Sequence, residues 1–281
     1  MKPENFAWLC RYLQENTGLV LGSDKMYLVE SRLMPVARKH LVDGLDALIE
    51  TLRSRRPREL ERDVIDAMMT NESFFFRDGK PFEQFRQFVL PRMLQSRATE
   101  RTIRIWSAAC STGQEPYSIA MILKEEEAQL AGWKVDIIAT DISHEALARA
   151  RSGIYSQFEV QRGLPIQLLI KYFTQDGDRW QIVPELRAMV QFREFNLLDD
   201  FGPLGRFDVV FCRNVLIYFD QATKASILER ISRIMAPDGL LYLGGAETVL
   251  GVTDRFVPLP AHRGIYGLAA EMQRMRFAAG A

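Results

Sequence analysis

Residues 102–115, TIRIWSAACSTGQE, join a run of β-branched and aromatic residues directly to a loop of small side chains. Three further apolar runs follow along the chain: VDIIATD at 135–141, FDVVFC at 207–212 and GLLYLGG at 239–245. Helical segments begin near Pro116, Ser143 and Gln221, in the intervals between these runs. Strands that alternate with helices are typical of a parallel sheet, so the sequence predicts a doubly wound α/β fold.

The first ninety residues carry apolar side chains at helical spacing instead. Phe6, Leu9 and Leu13 recur along one face, and Gly18 is a typical helix stop. The same spacing returns at 26–36, at 45–52, at 60–68 and after Pro81. This region is therefore predicted to be helical.

Residues from about 160 to 195 depart from the alternating pattern. WQIVP at 180–184 and VQFREF at 190–195 look like short strands around Gly177, which predicts a small antiparallel insertion. Near the end of the chain, FVPLPAHRGIYGL at 256–268 is compatible with a closing hairpin.

Composition narrows the classes of partner. The 281 residues are 47% hydrophobic and carry 36 basic against 36 acidic side chains, a formal net charge of +0. Proteins that bind nucleic acid through its phosphates are usually basic, so this balance argues against a nucleic-acid partner. The three cysteines lack metal-type spacing and do not suggest a disulfide framework, which favours a reducing compartment.

The histidines, the N-terminus and the lengths of the apolar runs further limit the class of protein. The three histidines lie far apart and form no metal-ligand pattern, so no metal is expected. The N-terminus lacks a signal-peptide pattern, and no apolar run approaches the roughly 18–20 residues that cross a bilayer. We expect a cytoplasmic protein without direct membrane insertion.

The loop AACSTGQE at 108–115 lies at the carboxyl end of the first predicted strand, where open α/β sheets bind their ligands. It is neither G-x-G-x-x-G nor a phosphate loop ending in Gly-Lys-Ser/Thr, and it carries Glu115. An acid here favours a ligand with a positive group, such as the amino group of a methionine moiety. The alternative is a tight turn in which Glu115 caps the next helix.

Asp141 ends the second predicted strand, about 25 residues beyond that loop, where dinucleotide-type folds bind ribose hydroxyls. The alternative is that Asp141 caps the following helix. One aspartate is weak evidence by itself, but its combination with the small-residue loop favours a nucleoside-containing ligand.

Two further segments are ambiguous individually. FCRNVLIYF at 211–219 follows the third strand and either faces the ligand or continues into a buried helix with Tyr218 in the core. It lacks Asn-Pro-Pro-Tyr, the pattern of enzymes that methylate exocyclic amines. TNESFFFRD at 70–78 either forms an apolar joint between domains or a wall over a cofactor, with Arg77 presenting its guanidinium to a carboxylate.

The segments TNESFFFRD, IWSAACSTGQEPYSIAM, IIATDIS and FDVVFCRNVLIYF together resemble the chemotaxis receptor methyltransferases, the CheR family, in order and spacing. The resemblance runs from about residue 5 to 267. It implies an α/β fold of the class I (Rossmann-like) methyltransferase type with an all-α N-terminal domain and a small antiparallel β-subdomain. The implied bounds are 1–75 for the helical domain, 76–270 for the methyltransferase domain, about 160–195 for the inserted β-subdomain, and 271–281 for a C-terminal tail.

The resemblance also implies the cofactor, S-adenosylmethionine, and its product S-adenosylhomocysteine. Asn71, Ser73 and Arg77 would line the pocket from the linker side, and Arg77 and Tyr218 would stand beside the transferred methyl group. The remaining implied contacts are Glu115 at the methionine end, Asp141 at the ribose, Asn196 and Leu197 of FNLLDD at the adenine, and Arg213 and Asn214 nearby.

The implied reaction forms glutamate 5-O-methyl esters on the cytoplasmic helical bundle of chemoreceptors and adjusts sensory adaptation. Ser73 stands where the family often has Thr, and the hydroxyl is retained. The segment Phe173–Val183 is short compared with members that bind a receptor C-terminal pentapeptide, so we expect an enzyme independent of that tether. The N-terminal helices are expected to dock on the receptor, where basic faces such as those of Arg32, Arg38 and Lys39 could meet its acidic helices, and so to recruit the protein to membrane receptor arrays.

Three other hypotheses stay open at this point. The first is a methyltransferase that acts on a small molecule or on nucleic acid. The neutral net charge of the chain counts against nucleic acid as its substrate. An adaptor that binds the cofactor and regulates a partner without turnover is disfavoured by the presence of Arg77, Asp141 and Tyr218. A nicotinamide oxidoreductase is disfavoured because G-x-G-x-x-G is missing.

Overall fold

The structure is a computed structural model that describes residues 1–279, without the side chains of residues 275–279. The α-helices are α1 (Pro3–Thr17), α2 (Met26–Lys39), α3 (Gly44–Arg55), α4 (Arg58–Met68), α5 (Lys80–Gln84), α6 (Leu90–Ser96), α7 (Gln114–Glu125), α8 (His144–Ser152), α9 (Gln157–Gln161), α10 (Ile166–Tyr172), α11 (Pro184–Arg187), α12 (Gln221–Ile234) and α13 (Ala269–Ala279). The strands are β1 (Thr102–Ala108), β2 (Lys134–Asp141), β3 (Ile154–Ser156), β4 (Phe173–Asp176), β5 (Arg179–Ile182), β6 (Val190–Glu194), β7 (Phe207–Cys212), β8 (Met235–Leu243), β9 (Phe256–Pro258) and β10 (Ile265–Leu268).

The main sheet of the described residues has seven strands in the order β6-β2-β1-β7-β8-β10-β9. The first five strands in this order run parallel, and β10 and β9 close the sheet as an antiparallel pair. This arrangement confirms the predicted class I fold. The chain order reverses beside β1, which pairs with β2 on one side and β7 on the other, and such a switch point opens a ligand crevice at the carboxyl ends of the strands.

Both faces of the main sheet are covered by apolar side chains. Successive strand residues point to opposite faces, so Ile105 and Phe211 join one core cluster while Trp106 and Val210 join the other. This burial on both sides explains why the strands appear in the sequence as nearly continuous apolar runs.

A second, three-stranded antiparallel sheet has the order β3-β5-β4. The prediction that VQFREF belongs to this insertion was wrong, because β6 pairs in parallel with β2, from Ile137–Val190 to Asp141–Glu194. A run of five alternating residues suits either sheet, and only the tertiary partner decides between them. Residues 269–279, which include most of the predicted C-terminal tail, form α13; residues 280–281 lie outside the described residues.

The helices α1 to α4 enclose a separate apolar core that includes Leu13, Leu33, Leu48 and Val64, all fully buried. The observed helices confirm the predicted helical character of this region, because the apolar stripes of all four helices contribute to this one core. In the described part of the chain, no helix is long and apolar enough to span a bilayer.

The end of α1 joins this helical unit to the main sheet. The Gln14 side chain donates to Asp220 at 2.9 Å, and the Asn196 side chain donates to the carbonyl of Asn16 at 2.7 Å. The short connection to α2 continues the contact, since the backbone N–H of Val20 donates to the carbonyl of Tyr218 at 3.0 Å. The helical unit therefore contacts the carboxyl edge of the sheet directly.

Arg97, which follows α6, ties that helix to two strands. Its Nε donates to Asp208 of β7 at 2.9 Å, and its two terminal nitrogens donate to Asp238 of β8 at 2.9 and 2.6 Å. The hydrogen bonds from Arg97 hold the pKa of Asp238 below its ordinary value. The contact therefore links folding stability to pH.

We expect Arg97→Met to lower the free energy of unfolding at pH 7 by about 3 kcal/mol, because two partly buried carboxylates lose their cation. Since folding lowers the pKa of Asp238, this stabilisation is complete above the unfolded-state pKa and is lost as pH falls through the folded-state value. Urea unfolding at neutral and acidic pH measures both effects, with exposed Arg179→Met as the control. A difference between wild type and variant that stays constant on acidification would contradict the prediction.

Candidate active site

A cavity lies at the carboxyl ends of β1, β2, β6 and β7, beneath the linker that follows α4. The space between its walls is about 970 Å³ including the open mouth, which falls in the range of roughly 300–1,000 Å³ typical of small-molecule sites. All of the site residues predicted from the sequence line this one cavity: Asn71, Ser73, Arg77, Glu115, Asp141, Asn196, Leu197, Arg213, Asn214 and Tyr218. Their individual roles stay predictions.

The loop after β1 curls so that its backbone faces the cavity. Ala109 and Ser111 adopt φ values of 54° and 51°, and Gly113 at 94° immediately precedes α7. Gly113 is also constrained sterically, because an added Cβ would lie 2.9 Å from the Cβ of Ala150. The small residues noted in the sequence thus serve a tight turn that lets a ligand approach the main chain.

Asp141 fixes this loop from the neighbouring strand. One carboxylate oxygen accepts from the N–H of Ser111 at 2.7 Å, and the other accepts from the N–H of Ser143 at 2.9 Å. Burial raises the pKa of Asp141, and the backbone hydrogen bonds oppose that rise. Ser143, not Asp141, caps α8, since its hydroxyl accepts from the N–H of Ala146 at 3.1 Å.

Glu115 does not cap α7 with its side chain. Its carboxylate accepts from the Ser107 hydroxyl at 2.8 Å and from Arg213 at 2.9 Å. Arg213 is buried and also bonds Asp78 at 2.7 Å, so it joins the start of α7 to the linker segment. A ligand ammonium group at Glu115 would therefore share the carboxylate with a guanidinium.

Arg77 and Tyr218 lie on the cavity wall with most of their polar groups available. The Arg77 guanidinium donates to the carbonyl of Glu72 at 2.9 Å and lies 5.4 Å from the centroid of the Phe74 ring. Tyr218 is half-buried, and its hydroxyl makes no hydrogen bond with the residues that the structure describes. Both groups are free to meet a substrate carboxylate.

Both polar atoms of the Asn196 side-chain amide already have hydrogen-bond partners. Its nitrogen donates to Asn16 of α1, and its oxygen accepts from the N–H of Leu198 at 3.0 Å. Leu197 is 7% exposed and packs into the apolar core. The predicted contact with adenine would therefore use the surfaces of these two side chains, because the polar atoms of the Asn196 amide are already hydrogen-bonded.

Three buried polar atoms of the cavity residues lack a hydrogen-bond partner within the described part of the chain: Ser111 Oγ, Arg213 Nε and Asn214 Oδ1. Buried polar groups in native proteins are rarely left unsatisfied. A polar ligand in the cavity would supply partners, so the residues present fit a cofactor with hydroxyl, amino and carboxylate groups.

Several wall residues were missed by sequence reasoning. Thr17 and Leu19 enter the wall from the helical unit, and Ile142 and Phe195 enter from the ends of strands. The strand-end pair could have been found from its adjacency to Asp141 and Asn196 in the sequence. Thr17 and Leu19 carry no local signal, because only the packing of α1 against the sheet brings them there.

The five parallel strands, the switch-point cavity and its acidic wall define a class I methyltransferase. Residues 71–265 match the model of the CheR methyltransferase SAM-binding domain, and residues 4–69 match that of the CheR methyltransferase all-alpha domain. The chain therefore belongs to the CheR methyltransferase family. It carries the S-adenosylmethionine-binding domain of that family.

Individual relatives cover nearly the whole chain. Chemotaxis protein methyltransferase 1 of Pseudomonas aeruginosa is 43% identical over 90% of this chain and 93% of its own length. Chemotaxis protein methyltransferase 1 of Vibrio cholerae is 40% identical over 94% of this chain and 96% of its own length. Among solved structures, the plantazolicin methyltransferase BpumL in complex with SAH has a TM-score of 0.34 at 13% identity, covering 77% of this chain and 61% of its own.

Proposed function

We propose that this protein transfers a methyl group from S-adenosylmethionine to glutamate carboxylates of chemoreceptors, forming glutamate 5-O-methyl esters that adjust sensory adaptation. The observation that carries the proposal is that one cavity wall combines Arg77 and Tyr218 with the acidic pair Glu115 and Asp141. The names of the relatives, chemotaxis protein methyltransferases, support the receptor as the substrate. The protein acts in the cytoplasm at membrane receptor arrays.

The strand ends and the linker would hold the cofactor between them. Asp141 would accept hydrogen bonds from the ribose, Glu115 would meet the amino end of the methionine moiety, and Asn196 and Leu197 would flank the adenine. Asn71, Ser73 and Asn214 complete the polar wall. No metal takes part in this scheme.

A glutamate side chain has an ordinary pKa of about 4.3, so the acceptor carboxylate is ionised at neutral pH and no general base is required. When bound, the cofactor supplies an electrophilic methyl group on a sulfonium centre. Arg77 orients the carboxylate through its planar fork of N–H donors, and the Tyr218 hydroxyl guides the acceptor oxygen. Orientation of this kind can supply roughly 7–11 kcal/mol of the barrier reduction.

We expect Tyr218→Phe to lower kcat at least about tenfold, because the ionised acceptor carboxylate loses one hydrogen bond from the hydroxyl, and such a bond to a charged group is worth about 1.5 kcal/mol or more. The affinity for S-adenosylhomocysteine should stay within twofold, since the ring remains. Exposed Tyr27→Phe is a matched control. Single-turnover methylation measures the effect, and unchanged turnover would remove Tyr218 from the acceptor site.

The helical unit is the docking surface for the receptor bundle. Arg32 does not contribute as expected, because its guanidinium donates to the carbonyls of Met68 and Met69 and to the Thr70 hydroxyl, which hold the linker. Lys39 is paired with Asp63 at 2.7 Å. The exposed basic side chains that remain for an acidic helical partner include Arg38, Arg53, Arg55 and Arg56.

Replacing Arg53 and Arg55 by Glu is expected to raise the KM for a receptor fragment about tenfold at low salt. Each reversal converts an attractive contact into a repulsive one, and such surface effects shrink as ionic strength rises. Cofactor affinity should not change. The same reversal at Arg149 and Arg151, on α8, is the control. A KM that is insensitive to the Arg53 and Arg55 reversals would place receptor docking on another face.

The deciding experiment is transfer of labelled methyl groups to purified receptor cytoplasmic fragments. Label on a glutamate that is released by mild base indicates the ester. A second fragment lacking its last five residues tests the tether, and equal turnover on both is expected because strands β4 and β5 have only four residues each. Cofactor binding without transfer to any receptor would overturn the proposal in favour of a cofactor-sensing adaptor.

A further inference from the structure

One carboxylate outside the cavity wall organises the loop that carries Asn214 and Tyr218. Glu247, in the loop after β8, accepts four backbone hydrogen bonds. Its Oε1 accepts from Val215 at 2.9 Å and Leu216 at 2.7 Å, and its Oε2 accepts from Asn214 at 2.8 Å and Gly244 at 2.7 Å.

The loop needs such a partner because of its own geometry. The chain leaves β7 and turns at Asn214, whose φ of 60° lies in the left-handed region. The N–H groups of the next residues precede the single 3-10 turn Leu216–Tyr218 and have no earlier turn to bond. Charge-assisted bonds to a carboxylate are about twice as strong as neutral ones, so one side chain restrains three consecutive N–H groups.

Gly244 makes room for this arrangement. A Cβ at this position would lie 2.8 Å from Oε2 of Glu247 and 2.9 Å from the backbone nitrogen of Asn214. Any side chain would therefore force the carboxylate and the backbone of Asn214 apart. The glycine and the glutamate act as a pair, three residues apart in the sequence.

We infer that Glu247 is a positioning residue for methyl transfer, which fixes Asn214 and Tyr218 by holding the backbone from 214 to 216. This inference rests on the proposed function. Glu247 is absent from the cavity wall, so it acts through that segment and not by touching the cofactor or the acceptor.

Glu247→Gln preserves the shape of the side chain but replaces one oxygen by an NH₂ group that faces N–H donors. Hydrogen exchange of the amides of residues 214–216 should become faster. We expect kcat to fall about 10- to 100-fold, as for a displaced reacting group. The affinity for S-adenosylhomocysteine should change less than threefold, and exposed Glu185→Gln should change none of these quantities.

Two further variants separate positioning from general stability. Gly244→Ala leaves the carboxylate in the chain and should give the same faster exchange and lower kcat, even if Glu247→Gln folds poorly. In a Tyr218→Phe background, Glu247→Gln should cost less than threefold in kcat, because residues that act through one another are not additive.

The outcomes are distinguishable. Normal kcat in Glu247→Gln, or the same proportional loss with and without the Tyr218 hydroxyl, would overturn the inference. If the wild-type protein methylates no receptor fragment, the proposed function fails, while amide exchange still decides whether Glu247 holds the segment. Unchanged exchange at residues 214–216 would then overturn the inference as well.

Discussion

Arg77→Ala is expected to lower kcat about 100-fold while the affinity for S-adenosylhomocysteine falls less than fivefold. Arg77 lies on the cavity wall in the linker, and its guanidinium bonds only the Glu72 carbonyl among the described residues. The rest of its planar fork is available to a substrate carboxylate. Loss of that orientation leaves the acceptor free to approach along unproductive directions, which a displacement reaction penalises severely.

The chain offers a matched control in Arg162. Its guanidinium lies 4.2 Å from the centroid of the same Phe74 ring and pairs with Glu72 at 2.9 Å, but it does not line the cavity. Arg162→Ala should therefore keep kcat within threefold. Arg77→Lys should recover only part of the activity, because an ammonium keeps the charge without the fork. Equal losses of turnover and cofactor affinity in Arg77→Ala would contradict the proposed role.

The second large effect is expected at Asp141. Asp141→Asn should weaken binding of S-adenosylhomocysteine about 100-fold, because a charged acceptor of the ribose is lost and an NH₂ group is turned toward the N–H of Ser111 or Ser143. Calorimetric titration with S-adenosylhomocysteine measures this loss. Asp136→Asn, at the opposite end of β2, is the control and should bind normally.

The pH dependence of the same titration gives an independent check. Burial raises the pKa of Asp141, so protonation begins at a higher pH than for an ordinary aspartate. Cofactor affinity should therefore decline on acidification earlier than an exposed carboxylate would allow, and Asp141→Asn should lack that decline. An affinity for S-adenosylhomocysteine that is unaffected by the substitution would exclude Asp141 from the ribose site.

The predicted site residues were found because they occupy strand ends. Asp141 ends β2, Arg213 directly follows β7, and Glu115 starts the helix after the β1 loop, so alternating strands and helices were enough to bring them to one edge. Asn71 and Arg77 lie in no strand, and the pattern of their segment left open whether it joins two domains or covers a cofactor, so the resemblance to a family was needed to favour the cavity wall. The structure added the reason, a salt bridge from buried Arg213 to Asp78 beside Arg77.

Other features could not have been predicted from local pattern. The five residues of β6 suit a small insertion as well as the main sheet, because strand alternation carries no information about the partner. Arg32 was expected on the receptor-docking face, but the fold brings the carbonyls of Met68 and Met69 to its guanidinium. Glu247 is one of many acidic residues in the sequence, and its four backbone donors come from two separate loops.

The sequence by itself determined the alternation of strands and helices, the helical N-terminal region and the polar residues at the strand ends of the cavity, because hydrophobic periodicity and strand-end chemistry are local. The tertiary structure alone decided which sheet β6 joins and how α1 reaches the cavity through Thr17. It also decided which charged side chains bond to groups within the protein. Those choices depend on contacts between distant segments, whose energies arise only when the packed chain excludes water and brings the groups within bonding distance.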